Sequence, residues 1–129
     1  MSASNPKEEG DVERAAFLNQ LRLEIQKAKS SLDKTLHGTN THGLEVVSDE
    51  ESPILRLRSS SFTALELVPE EDRNAVTINN YLGDRTGSVE EEVFSNPAEA
   101  AQRFEELAPQ MVERFEDRIE ELRLLGIVQ

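Results

Sequence analysis

Residues 54–82 read ILRLRSSSFTALELVPEEDRNAVTINNYL, and this stretch decides the fold. Leu55 and Leu57 alternate with Arg56 and Arg58, while Val76, Ile78 and Leu82 alternate with Thr77, Asn79 and Tyr81. A period of two sends successive side chains to opposite faces of a strand, so these runs predict one apolar and one wet face. Ser59-Ser60-Ser61 and Pro69-Glu70-Glu71-Asp72-Arg73-Asn74 carry turn chemistry between the runs. Connections this short suit antiparallel neighbours, because a parallel crossover needs about a dozen residues or more.

Two further runs extend the pattern outward, Leu44–Val47 before it and Val89–Phe94 after it. Ser48 to Pro53 and Gly83-Asp84-Arg85-Thr86-Gly87 separate them from their neighbours. Together with Ile54–Arg58, Phe62–Val68 and Ala75–Leu82 they predict a five-stranded antiparallel meander. Glu90, Glu91 and Glu92 break the alternation in the last run and mark an edge strand protected by charge.

On either side of the strands the period becomes helical. Leu18, Leu21, Ile25, Ala28 and Leu32 recur at spacings of three and four, and Leu36 extends the seam. Asp11 is the expected N-cap and Gly38 the expected C-cap. A helix of about 26 residues is roughly 39 Å long, longer than such a sheet requires. Phe17 and Leu23 lie off its seam, so part of it is expected to project and pair.

The second helix opens at Ser95-Asn96-Pro97, a capping residue before a proline at the tolerated first position. Its stripe is Ala101, Phe104, Ala108, Met111, Phe115 and Leu122, widened by Leu107, Val112 and Ile119. Pro109 is expected to kink it or split it near Leu107–Ala108. Gly126 ends it, leaving Ile127-Val128-Gln129 as an apolar tail expected to dock on a neighbour. Residues 1–10 read as a disordered lead, and 11–129 as a single α+β domain: N-terminal helix, meander, C-terminal helix kinked near Pro109.

Aromatics are scarce, 5% with no Trp, so the core must come from aliphatic residues and five Phe. Each large aliphatic buried contributes roughly 1.5–3 kcal/mol. The chain has no Cys, which removes disulfides and thiolate metal sites and suits a reducing cytoplasm, the expected location. No run resembles a signal-peptide core or approaches the 18 or so apolar residues of a membrane span.

The net charge of −12 is unevenly spread. Residues 1–43 balance, whereas residues 44–95 hold twelve acids against four Arg and residues 96–129 hold eight against four. Such a field repels phosphate backbones and anionic lipid. The expected partner is therefore a protein, a basic one, and neither nucleic acid nor membrane.

No motif calls for chemistry. His37 and His42, with Asp33 or Glu45 nearby in sequence, fall short of a zinc set. Asp49-Glu50-Glu51 and Glu70-Glu71-Asp72 lack the glycine and the alternation of a calcium loop. Ser59-Ser60-Ser61 has no nucleophile elbow, and the two-glycine turn at 83–87 has no following Lys-Ser/Thr. No catalytic residue, metal or cofactor is expected.

These features point to a non-enzymatic protein-binding module: an adaptor, inhibitor, immunity protein or secretion-type chaperone. Phe17, Leu18, Leu21, Ile25 and Leu32 are its candidate partner-binding residues, in a coiled-coil-like seam that would also support a homodimer. A narrower form has the acidic central segment mimic nucleic acid. The competing expectation is a small-ligand-binding protein or enzyme with a pocket between sheet and C-terminal helix. Phe62, Tyr81, Phe94, Phe104 and Phe115 would line that pocket.

Overall fold

A computed structural model describes residues 6–49, 51–60, 62–82 and 90–126. Seven elements follow in chain order: α1 (Pro6–Thr35), β1 (Glu45–Asp49), β2 (Ile54–Arg58), β3 (Thr63–Pro69), β4 (Val76–Asn80), β5 (Glu90–Phe94) and α2 (Pro97–Leu124). The strands form one sheet in the order β1-β2-β3-β4-β5, every pair antiparallel. This is the expected α+β meander between two helices. The turn at 83–87, Val89, the tail at 127–129 and the first five residues lie outside the described residues.

The register explains the core. Leu55 stands opposite Leu67, which stands opposite Ile78, and Leu57 stands opposite Leu65. These five are buried, at 1% exposure or less, on the face that both helices cover. Helix α1 lies over β1 and β2, α2 lies over β3, β4 and β5, and the helices pack on each other. One layer of helix on one layer of sheet encloses a single core. Phe104 is the largest fully buried side chain, in one cluster with Leu21, Leu32 and Leu44.

The two helices run in the same direction. Arg14 of α1 donates to the carbonyls of Glu70 and Arg73, and Arg22 reaches the Glu51 carbonyl, so α1 starts at the end holding the β1–β2 and β3–β4 turns. Helix α2 starts at that end too, just after Phe94, which pairs with Val76. At the opposite end Phe115 of α2 meets Phe62 beside the β2–β3 turn.

Helix ends differ from expectation at one point. Helix α1 begins at Pro6, so residues 6–10 are helical and Asp11 lies inside the helix instead of capping it. A proline at the first position costs nothing there, since its missing N–H has no intrahelical acceptor. Gly38, with φ +79°, turns the chain away after the Leu36 amide has bonded to the Leu32 carbonyl at 2.8 Å. At α2 the expected cap is present: the Asn96 side chain accepts from the Ala98 amide at 2.9 Å, and Pro97 follows.

Helix α2 passes through Pro109 without dividing. Proline removes the N–H that would bond to the Glu105 carbonyl. Leu107, Ala108, Met111 and Val112 are buried on both sides of it and hold the helix to one core. Among the described residues no helix is long and apolar enough to cross a membrane.

Candidate protein-docking surface

The seam expected to bind a partner is spent on the core. Leu21, Ile25 and Leu32 are 0%, 2% and 1% exposed against the chain's own helix and strands, so they are not a docking surface. A spacing of three and four reports burial of one helix face and does not say what buries it. A homodimer built on that seam would have to open the core. Phe17 is half-buried against the core with the Arg14 guanidinium 5.8 Å over its ring, and Leu18 is also half-buried. Leu23, off the seam, is exposed.

Among the described residues, the second face of the sheet is left without a covering element. Register places Val47, Arg56, Glu66, Asn79 and Glu91 in one row across all five strands. Beside it, Val68, Thr77 and Val93 form a second row. No described element packs on this face, since both helices lie on the other side. Val47, Ile54 and Val68 are half-buried, and Val93 and Tyr81 are exposed.

A polar cluster sits in the middle of these aliphatics. Arg56 Nε donates to Glu66 Oε2 at 2.8 Å, and the Tyr81 hydroxyl donates to Glu66 Oε1 at 3.3 Å. Partial burial, and then the negative charge of Glu66, raise the Tyr81 phenol above its ordinary value. Apolar positions around a satisfied charge pair are suited to a wet, specific protein contact, because the polar centre fixes register and the aliphatic surround excludes water.

The acidic segments gather at one end of the sheet. Asp49 and Glu51 of the β1–β2 turn share that end with Glu70, Glu71 and Asp72 of the β3–β4 turn. Asp49 Oδ1 accepts from the Glu51 amide at 2.9 Å, which fixes the first turn. Glu70 accepts from Arg73 and from the Thr77 hydroxyl, and these two bonds hold its carboxyl below the ordinary carboxylate value. Glu92 at the β5 edge pairs with Arg103 of α2 at 2.9 Å. Glu66, Glu70 and Glu92 are thus each neutralised by an arginine, which interrupts any phosphate-like row of charge.

The five aromatic residues expected to line a ligand pocket do not share one. Phe104 is core, Tyr81 lies on the outer sheet face, Phe94 is packed against the core, and Phe62 and Phe115 stack on each other. The two histidines lie in separate hollows, His37 beside Asp33 and His42 beside Glu45 and Arg58. His42 Nε2 stands 3.9 Å from Glu116, and among the described residues no three His, Asp or Glu side chains come close enough to hold a metal ion. Ser59 closes the β2–β3 turn, its hydroxyl donating to the Phe62 carbonyl at 3.4 Å.

Compared with known protein families, curated proteins and solved structures, the chain matches none. Its functional surface must therefore be read from its own geometry. Sequence alternation does not single out Val47, Ile54, Val68 and Val93, because each adjoins an apolar residue of the buried face (Val46, Leu55, Leu67 and Phe94); the strand register places them on the opposite face.

Proposed function

We propose that the chain is a non-enzymatic protein-binding module that docks its partner on the open face of the sheet. The observation that supports this most directly is the set of Val47, Ile54, Val68 and Val93 around the Arg56–Glu66 pair, on a face no described element covers. The net charge of −12 favours a basic protein. A surface of this kind is compatible with an adaptor, inhibitor, immunity or secretion-chaperone role.

The test is affinity capture of the full tagged chain from its native lysate with nuclease present, beside the variant Val68→Arg/Val93→Arg. A stoichiometric protein partner held by the parent chain and lost by the folded variant supports the reading. Recovery of the chain alone, or equal capture by both forms, counts against it and moves weight to a ligand-binding or enzymatic role.

A further inference from the structure

The sheet has two edges of different character, and we propose that β1 is a strand-addition site for an extended segment with the pattern basic–x–apolar–x–basic. The proposal rests on the protein-binding reading and narrows it to an edge and a sequence.

A sheet edge carries unpaired backbone donors and acceptors that template another strand unless charge or cover prevents it. Strand β5 is guarded: Glu90, Glu91 and Glu92 fill three of its five positions, and Arg103 is bound across to Glu92. Strand β1 reads Glu-Val-Val-Ser-Asp, with its acids only at the two ends. Among the described residues β2 is its sole strand neighbour.

Self-pairing of this edge is disfavoured. An antiparallel β1–β1 pair that uses all five residues centres on Val47 and sets Glu45 opposite Asp49 twice. Like charges directly opposite destabilise a strand pair. A second copy is therefore a poor occupant, and an oppositely charged strand a good one.

The same geometry sets the spacing. Glu45, Val47 and Asp49 face the outer side of the sheet, opposite Arg58, Arg56 and Ile54 of β2. Glu45 and Asp49 are four residues apart, about 13 Å along the strand. A strand added at β1 meets them with its residues i, i+2 and i+4. Lys or Arg at the outer two faces the carboxylates, and an aliphatic residue at the centre packs on half-buried Val47. The pattern reads identically in both directions, so it holds for parallel and antiparallel addition.

Each end of the edge also has room. A hollow of about 540 Å³ beside Glu45 is bounded by His42, Gly43, Arg58 and Phe115. A second of about 340 Å³ beside Asp49 is bounded by Arg22, Gln26, Ser48 and Pro53. Arg58 is the cross-strand partner of Glu45 on the β2 side, and the incoming chain would lie on its other side.

The experiment titrates the ¹⁵N-labelled full chain with the peptide acetyl-Thr-Lys-Thr-Val-Thr-Lys-Thr-amide and with its counterpart carrying Glu for Lys. The Lys peptide is expected to bind and to shift the amides of Glu45 to Asp49 most. The double variant Glu45→Lys/Asp49→Lys, confirmed folded by its spectrum, is expected to lose about tenfold in affinity for the Lys peptide and to gain the Glu peptide. Absence of binding, equal binding of both peptides, shifts centred elsewhere, or an unchanged affinity in the double variant would overturn the proposal. The same variant in lysate capture separates the two readings. A partner kept by Glu45→Lys/Asp49→Lys but lost by Val68→Arg/Val93→Arg sinks the edge site and leaves the module. No partner for any form sinks the module, while the peptide titration decides the edge by itself.

Discussion

The ring of Phe62 stacks on the ring of Phe115, centroids 6.0 Å apart and planes within 8° of parallel. The pair joins the start of β3 to the part of α2 that leaves the sheet. Offset aromatic stacking is worth about 0.5–1.5 kcal/mol beyond area burial. A double-mutant cycle with Phe62→Ala and Phe115→Ala in urea unfolding should therefore show a coupling of about 1 kcal/mol. Phe115→Ala alone should cost more than Phe62→Ala, since Phe115 also packs against the core cluster. Strict additivity would mean that the stacking holds nothing together.

Arg14 fastens the beginning of α1 to the β3–β4 turn. One guanidinium donates to the Arg73 carbonyl at 2.6 Å, to the Asn74 side chain at 3.3 Å and to the Glu70 carbonyl. A planar fork makes several bonds in fixed directions, whereas an ammonium acts as a point charge. Both Arg14→Met and Arg14→Lys are expected to destabilise by about 1 kcal/mol, the scale of a partly exposed charged hydrogen bond. Amide exchange at Ala75 should quicken in both. Full rescue by Lys would show that only the charge matters.

Glu70 gives the fold an acid-sensitive turn. Its folded pKa is lowered by Arg73 and then by Thr77, so its contribution is fully present above the unfolded value of about 4.3 and is lost as pH falls through the folded value. Glu70→Gln should lower stability at pH 7 and flatten the fall of the melting temperature below about pH 4.3. The parent and variant curves should converge at the lowest pH reached. Parallel curves across that window would show that the pairing contributes nothing.

Two positions in α2 should move stability in opposite directions. Asn96→Ala removes the acceptor for the Ala98 amide and should cost about 1 kcal/mol. Pro109→Ala restores an N–H for the Glu105 carbonyl within a helix that is already continuous. It should stabilise by about 2 kcal/mol, the relief of an interior proline less the entropy proline removes from the unfolded chain. Urea midpoints check both. A less stable Pro109→Ala would mean that the helix needs its proline to follow the core.

The core offers the bluntest check. Phe104 is the largest fully buried side chain of the cluster, and Phe104→Ala should cost about 3–5 kcal/mol. Leu23→Ala, on an exposed flank of α1, should stay within about 0.5 kcal/mol. Similar losses at both would contradict the assignment of the α1 faces.

Most of the fold was legible because its signals are local. Alternation of Leu55 and Leu57 with arginine, the polar turns beside it, and Asn96-Pro97 at a helix start each depend on a few adjacent residues. The start of α1 was misread because Pro6 and Gly10 suggest a break, yet neither is forbidden where helix begins. The role of the α1 seam was misread for a different reason. Leu21, Ile25 and Leu32 carry the same spacing whether they meet their own sheet or another chain.

Sequence alone therefore determined the order of the elements, the antiparallel meander and the acid excess, since periodicity, turn chemistry and charge are properties of the chain itself. Tertiary structure decided which apolar face the helices cover. Both helices settle on one side of the sheet, bury their seams there, and leave Val47, Val68 and Val93 on the other. The physical reason is that an amphipathic pattern states a need for burial, and only the packing of distant segments supplies the surface that meets it.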